Sequence, residues 1–186
     1  MKNEKMRDKK MEKNGNKPNN SLIGKSLVIV FSYHHRNTEK IAHVVANVLG
    51  AEVKTPQLVK PEEIAEYELV GFGSGIYGAR NHQSLIDLAG RLPYADGRKA
   101  FIFSTYGAPT GLYKGERLSE FIRTNHLALR DKLQAGGYKI IGEFSCAGWN
   151  TNSFLKYFGG LNKGKPDADD IRNADAFAQN IKQKAR

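Results

Sequence analysis

The stretch that decides the fold is LVIVFSYHHRNTEKIAHVVA, residues 27–46. It opens with an apolar run, residues 27–31, that is typical of a buried β-strand, and from Ile41 onward its apolar residues recur at helical spacing. Residues 32–38 therefore connect a strand tightly to a helix. In an open α/β sheet such a connection lies at the carboxyl end of the strand, where the free N–H groups of the helix start bind anions. The sequence predicts a phosphate-binding loop at this point.

The side chains of this loop offer hydroxyl donors and positive charge to a phosphate group: Ser32, Tyr33, His34, His35, Arg36, Asn37 and Thr38. We expect Asn37 or Thr38 to cap the helix and to leave other backbone donors free. The alternative is an ordinary capped turn that binds nothing. The sequence contains no GxxxxGK[ST] motif, so a nucleotide triphosphatase would lack its lysine and its metal-holding hydroxyl.

Composition separates a tail from a domain. The first twenty residues contain seven Lys or Arg, three acidic residues and no aliphatic side chain beyond Met, so residues 1–24 are predicted to form a disordered basic tail. Residues 25–186 are long enough for one domain with a substantial core. The net charge of +10 leaves +6 for residues 21–186 once the +4 of the tail is removed. This balance favours acidic partners in general, but the domain's basic residues look scattered and no nucleic-acid module is evident, which disfavours nucleic acid.

The sequence also limits the compartment and the chemistry. It has no apolar run of about 18 residues, so no membrane span is expected. Cys146 is the single cysteine; it is compatible with a reducing cytoplasm and is expected to be buried and inert. The histidines are not spaced as metal ligands usually are, and no catalytic dyad can be identified in the sequence. His126 is predicted to lie on a helix as a surface or boundary residue.

Strand-like and helix-like segments alternate along the rest of the chain. The predicted strands are residues 27–31, 51–55, 69–74, 100–104 and 138–144, and the longest predicted helices cover residues 116–134 and 168–184. This alternation predicts a mostly parallel α/β sheet covered by helices on both faces. Three of the strands finish in serine and continue into polar or glycine-rich loops, at Ser32, Ser74 and Ser104. If these strands meet at a topological switch point, the three loops converge on one crevice.

The first loop carries a resemblance to a known family. After the aromatic Phe31, the spacing to Thr38 and then to Ala42 resembles the signature of the flavodoxin family, and the resemblance covers residues 25–186. Tyr33 stands where that family has Ser or Thr, and Arg36 where it has a small residue. The resemblance implies a three-layer αβα sandwich with a five-stranded parallel sheet in the order 2-1-3-4-5.

The resemblance also implies non-covalent binding of FMN. Residues 33–38 would hold the phosphate, and two later loops would flank the isoalloxazine ring. The residues implied in those loops are Ser74, Gly75, Ile76, Tyr77, Gly78, Thr105, Tyr106, Gly107 and Gly111. Tyr77 and Tyr106 are the stacking candidates, since an aromatic ring gains from offset stacking on a flavin.

Three functions remain open from the sequence: an FMN electron carrier, an FMN-dependent NAD(P)H:quinone-type oxidoreductase, and a flavin-free interaction module. The first is preferred, with a redox protein or a small-molecule electron acceptor as the partner; a homodimer is compatible with the sequence. The segment 145–166 is too long for a simple connection. Its Trp149 is interpreted as a residue that packs the segment onto the body of the protein. The alternative is that Trp149 covers the edge of the flavin.

Overall fold

The computed structural model describes residues 24–186, so the predicted basic tail lies outside the described residues except for Gly24. The strands are β1 Ser26–Phe31, β2 Glu52–Lys54, β3 Leu69–Tyr77, β4 Arg80–Asn81, β5 Lys99–Tyr106 and β6 Lys139–Ala147. The helices are α1 Asn37–Leu49, α2 Gln83–Ala89, α3 Glu116–Asn125, α4 Leu127–Ala135 and α5 Ala168–Ala185. Short 3-10 helices lie at Pro56–Leu58, Pro61–Glu66 and Ser153–Phe158. No helix within residues 24–186 combines the length and the apolar character needed to cross a membrane.

The sheet contains five parallel strands in the order β2-β1-β3-β5-β6, and the short β4 pairs antiparallel with β3. When β4 is set aside, this is the predicted order 2-1-3-4-5, so the predicted α/β fold is confirmed with six strands rather than five. Chain order reverses between β1 and β3. That reversal makes the carboxyl ends of these two strands the topological switch point.

Two apolar layers explain why the strands read as continuous hydrophobic runs. Val28 and Val30 of β1 pack in the cluster that contains the buried faces of α1 and α5. Leu27 and Ile29 point to the opposite face, where they join residues of α2 and α4. Both faces of the sheet are therefore covered, as a parallel sheet requires.

The glycine-rich loop predicted to follow Ser74 is wrong in part, because β3 continues to Tyr77 and returns as a hairpin. Ile76 pairs with Asn81, and Tyr77 pairs with Arg80. The two residues between them, Gly78 and Ala79, have φ of 55° and 60°. Positive φ at both central positions is the geometry of the type I′ turn, which suits a two-residue hairpin.

The predicted helix over residues 116–134 is divided at His126, where α3 ends and α4 begins. The prediction that His126 lies at the surface is wrong, since its exposed fraction is 0%. Its Nε2 lies 2.8 Å from Ser104 Oγ, and its Nδ1 lies 2.9 Å from a carboxylate oxygen of Glu143. Arg130 donates to both oxygens of Glu143, at 2.6 and 2.8 Å. These four residues form a polar cluster between the sheet and α4.

The hydrogen-bond directions in the polar cluster follow from chemistry. The carboxylate of Glu143 only accepts, so the neutral His126 ring donates from Nδ1 and accepts at Nε2 from Ser104 Oγ–H. Ser104 can then accept from Ser145 Oγ, which lies 2.8 Å away. Ser74, Ser104 and Ser145 are in register on three adjacent strands, and we call them the serine row.

Glycines in the middle of β3 make room for the rings of the next strand. A Cβ at Gly73 would lie 2.1 Å from the Phe103 ring, and one at Gly71 would lie 2.2 Å from Phe101. We expect Gly73→Ala to lower the free energy of unfolding by about 1–3 kcal/mol, because the buried ring must leave its place.

Urea denaturation measures this loss. Gly90→Ala is the matched control, since the nearest atoms to its new Cβ are carbonyl oxygens at 3.6 and 3.7 Å. Equal stabilities for the two variants would contradict the packing explanation.

Candidate functional site

The connection from β1 to α1 is strained and leaves the helix start open. His35 and Arg36 have φ of 52° and 54°, in the left-handed region that non-glycine residues rarely adopt. No side chain caps α1 within the described residues, and the N-cap position is Arg36. The expectation that Asn37 or Thr38 caps the helix is therefore wrong; both residues lie inside its first turn. The Asn37 amide donates to the His34 carbonyl at 3.4 Å, and the Lys40 amide donates to the Arg36 carbonyl at 3.1 Å. The amides of Thr38 and Glu39 between them are the donors that a helix start leaves without an intrahelical acceptor.

Asn37 and Thr38 are buried and link this turn to two other parts of the chain. Thr38 Oγ1 lies 2.8 Å from Oγ1 of Thr105, which belongs to β5, the strand next to β3 in the sheet. Asn37 Nδ2 donates to the carbonyl of Trp149 at 2.8 Å, which fixes the orientation of the amide. Asn37 Oδ1 then remains buried without a hydrogen-bond partner among the described residues. A buried acceptor without a donor is uncommon and calls for an explanation.

The second wall of the cleft comes from the end of β3. Gly75, Ile76 and Tyr77 line it, and the Tyr77 ring lies so close to Gly75 that a Cβ there would be 2.8 Å from it. Ser74 is fully buried, donates to the Gly75 carbonyl and accepts from the His82 amide at 2.9 Å. Its hydroxyl therefore stabilises the hairpin and does not face the cleft.

The third wall comes from the end of β5. Thr105, Tyr106 and Gly107 line the cleft. The Tyr106 side chain is only 6% exposed and packs edge-on against Tyr113 and Phe121, with ring centroids 5.4 and 5.1 Å away. Most of this ring is thus held in an aromatic cluster beside the cleft. Gly111 lies away from the cleft, on a neighbouring groove between the β5–α3 connection and α5.

A fourth wall, not among the predicted site residues, follows β6. Gly148, Trp149, Asn150 and Asn152 line the cleft. Asn150 Nδ2 donates to the Gly107 carbonyl at 3.1 Å, and the Trp149 ring stacks on His35 with centroids 3.9 Å apart. This wall could have been predicted from the rule applied to the other strands, that the loops at the carboxyl ends of adjacent parallel strands converge. The rule holds here because β6 is the parallel neighbour of β5. Ending the predicted strand at residue 144 rather than at Ala147 concealed it.

Ten of the sixteen predicted site residues meet in this one cleft at the carboxyl edge of the sheet. They are Ser32, His34, Asn37, Thr38, Gly75, Ile76, Tyr77, Thr105, Tyr106 and Gly107. The other six lie beside the cleft or face away from it: Tyr33, His35, Arg36, Ser74, Gly78 and Gly111. Arg36 is exposed and pairs with Glu39, and His35 lies 2.8 Å from the Thr151 hydroxyl.

The cleft has a volume of about 70 Å³. Pockets that enclose a whole small molecule measure about 300–1,000 Å³. The cleft as it stands therefore matches one small polar group, and a larger ligand needs its walls to separate.

No protein-family model matches the sequence. Uncharacterized protein MJ0298 from Methanocaldococcus jannaschii is 42% identical over 158 residues, which cover 84% of this chain and 97% of that protein.

Two solved structures are similar in fold. Flavodoxin 2 from Bacillus cereus superposes with a TM-score of 0.62 and 18% identity, over 86% of this chain and 99% of that one. A flavodoxin from the domain Archaea superposes with a TM-score of 0.61 and 17% identity, over 87% of this chain and 98% of that one. The fold is therefore flavodoxin-like, and the chain belongs to the same family as the MJ0298 protein of Methanocaldococcus jannaschii.

Proposed function

We propose that this protein binds FMN non-covalently at the carboxyl-edge cleft and carries electrons between redox partners. The observation that supports this most is the meeting of the uncapped start of α1 with the ends of β3, β5 and β6 in one cleft at the switch point. Bound FMN supplies the electron chemistry, and the protein supplies position and electrostatics.

The first turn of α1 suits the phosphate end of FMN. It presents backbone donors together with the hydroxyls of Ser32 and Thr38, both of which line the cleft. When Thr105 donates to Thr38, the hydrogen of the Thr38 hydroxyl is free for a phosphate oxygen. The volume of about 70 Å³ accommodates a phosphate group.

Asn37 suits the ribityl chain rather than the phosphate. Its buried Oδ1 lacks a donor, and a phosphate oxygen offers none, whereas a ribityl hydroxyl does. The ring system must then lie toward Tyr77 and Trp149, the two aromatic walls, and these must part to admit it.

An electron carrier makes the smaller demand on the structure. A reductase needs space for a nicotinamide or quinone stacked on the flavin, beyond the movement of the walls that admits the flavin itself. A carrier needs only an exposed flavin edge. Stopped-flow mixing with NAD(P)H distinguishes the two, since rapid direct reduction would favour the reductase.

The test of FMN binding compares FMN with riboflavin, which lacks the phosphate. We expect the purified protein to show the visible absorption bands of oxidised flavin, or to acquire them on addition of FMN. We expect riboflavin to bind at least about tenfold more weakly, because charge-assisted hydrogen bonds to phosphate are lost. Protein that takes up neither compound contradicts the proposal, and equal affinities contradict the placement of the phosphate.

A further inference from the structure

The excess positive charge of the described chain is confined to the segments around the cleft. Residues 32–38, 75–82, 105–115 and 148–166 together contain six Lys or Arg and no Asp or Glu. The rest of residues 24–186 contains 16 residues of each sign. The basic residues of the domain therefore only look scattered along the sequence. The surplus lies on the four connections themselves, and each of three of them is followed by an acidic residue at the start of a helix: Glu39, Glu116 and Asp167.

Four of these six charges lack a carboxylate partner in the described part of the chain. Arg36 pairs with Glu39, and Lys165 pairs with Asp167 and Asp170. No described ion pair or side-chain hydrogen bond involves the others, which we call the free cations: Arg80, Lys114, Lys156 and Lys163. All four are exposed, and they come from three of the connections that contribute walls to the cleft; Lys114 itself lines the neighbouring groove.

Exposed apolar side chains share the same edge. Five of the eight large hydrophobic residues that are exposed among residues 24–186 lie on these segments, and we call them the apolar rim: Tyr33, Leu112, Phe154, Tyr157 and Phe158. The last three belong to one 3-10 helix and are 65%, 77% and 81% exposed. A concentration of exposed aromatic side chains inside a polar border is typical of a protein interaction surface.

We propose that the carboxyl edge is a docking surface for a small acidic redox protein, which places carboxylates on the free cations and apolar side chains on the apolar rim. The redox character of the partner rests on the proposed function, whereas its acidity and its place of docking do not. Complementary charge steers such encounters and fixes their orientation.

The arrangement favours a protein over the other anionic macromolecules. Single-stranded nucleic acid follows a continuous basic groove with bases stacked on aromatic faces. A lipid surface is bound by one amphipathic face. Here the free cations come from three separate connections rather than from one groove or one helix face, and the apolar rim also comes from three connections, which suits the surface of a protein partner.

The test titrates the full chain, saturated with FMN where FMN binds, with a small acidic plant-type [2Fe–2S] ferredoxin; basic cytochrome c is the probe of opposite charge. We expect the ferredoxin to bind, with an affinity that falls at least about tenfold when ionic strength rises from about 0.02 to about 0.3 M. We expect cytochrome c to bind at least about tenfold more weakly at low salt.

Charge-matched variants locate the surface. Arg80→Gln, Lys114→Gln, Lys156→Gln and Lys163→Gln combined should weaken ferredoxin binding at least about tenfold at low salt. The control combines Lys60→Gln, Arg91→Gln, Lys132→Gln and Lys139→Gln, four exposed cations of the same types outside the four segments. It makes the same change in net charge and should alter the affinity less than about threefold.

The outcomes separate this proposal from FMN binding. Salt-sensitive docking that requires the free cations supports the surface even if the protein takes up no FMN. A yellow protein that does not bind ferredoxin, or that loses binding equally in both combined variants, overturns the surface and leaves FMN binding intact. Preferential binding of a single-stranded oligonucleotide or of phosphatidylserine vesicles through the free cations also overturns it.

Discussion

Glu143→Gln is expected to lower the free energy of unfolding at neutral pH by about 3 kcal/mol, because it removes the anion that both His126 and Arg130 contact. The carboxylate is mostly buried, with 18% of its side chain exposed. Burial alone raises the pKa of Glu143, but hydrogen bonds from His126 and Arg130 outweigh it and lower that pKa to about 2. Gln keeps the volume and loses the charge.

The same cluster predicts a loss of stability in acid. The pKa of Glu143 lies below its unfolded value, so its contribution is fully present above about pH 4.5 and is lost as the pH falls toward about 2. Burial lowers the pKa of His126, against the opposing effect of Glu143. The unfolded chain therefore takes up a proton below about pH 6.5 before the folded chain does, which also lowers stability in acid.

Urea denaturation at about pH 7, 5 and 3 measures both effects. The control is Glu120→Gln on α3, whose partner Arg123 is 3.8 Å away and whose pair is exposed, with an expected change within about 0.5 kcal/mol. The difference between wild type and Glu143→Gln should shrink as the pH falls. A constant difference down to pH 3 would exclude ionised Glu143 as its source.

Thr38→Val is expected to raise the dissociation constant for FMN by about 10- to 100-fold, because a hydroxyl donor to a charged phosphate contributes about 1.5–3 kcal/mol. Val has nearly the same shape, so the packing of α1 is kept. The lost bond to Thr105 should reduce folding stability by only about 1 kcal/mol.

Riboflavin separates phosphate binding from general damage to the cleft. The affinity for riboflavin should change less than about threefold in Thr38→Val, since that ligand lacks the lost acceptor. Thr124→Val, at an exposed position of α3, is the matched control and should bind both ligands as wild type does. An equal loss for FMN and riboflavin would place the phosphate away from Thr38.

Local pattern was sufficient for the architecture. The apolar run of β1 and the helical spacing from Ile41 onward correctly placed the first strand, the first helix and the connection between them. The strand order followed from the resemblance, and the five parallel strands adopt it. The placement of the strand and the helix depends on periodicity, which is visible in the sequence itself, whereas the strand order does not.

Long-range pairing decided what the sequence did not reveal. Ala79 carries no signal for positive φ, so the β3–β4 hairpin depends on pairing between Ile76 and Asn81. His126 looks like a helix-surface residue until Ser104 and Glu143 are known to lie beside it. Two of the three strand-end serines were also misplaced, because β3 and β5 run past Ser74 and Ser104 to Tyr77 and Tyr106. For His126 and these two serines, residues distant in sequence determine the local structure, whereas the hairpin is a local pairing.

The serine row has a consequence for how the protein gains and loses its ligand. Each of its hydroxyls is already hydrogen-bonded to protein groups, and the two threonine hydroxyls share one hydrogen bond that leaves one O–H free. The sheet beneath the cleft is thus hydrogen-bonded before a ligand binds, and the walls of the cleft are the part that must move. Under the proposed function, removal of FMN should therefore leave a folded protein that can bind FMN again.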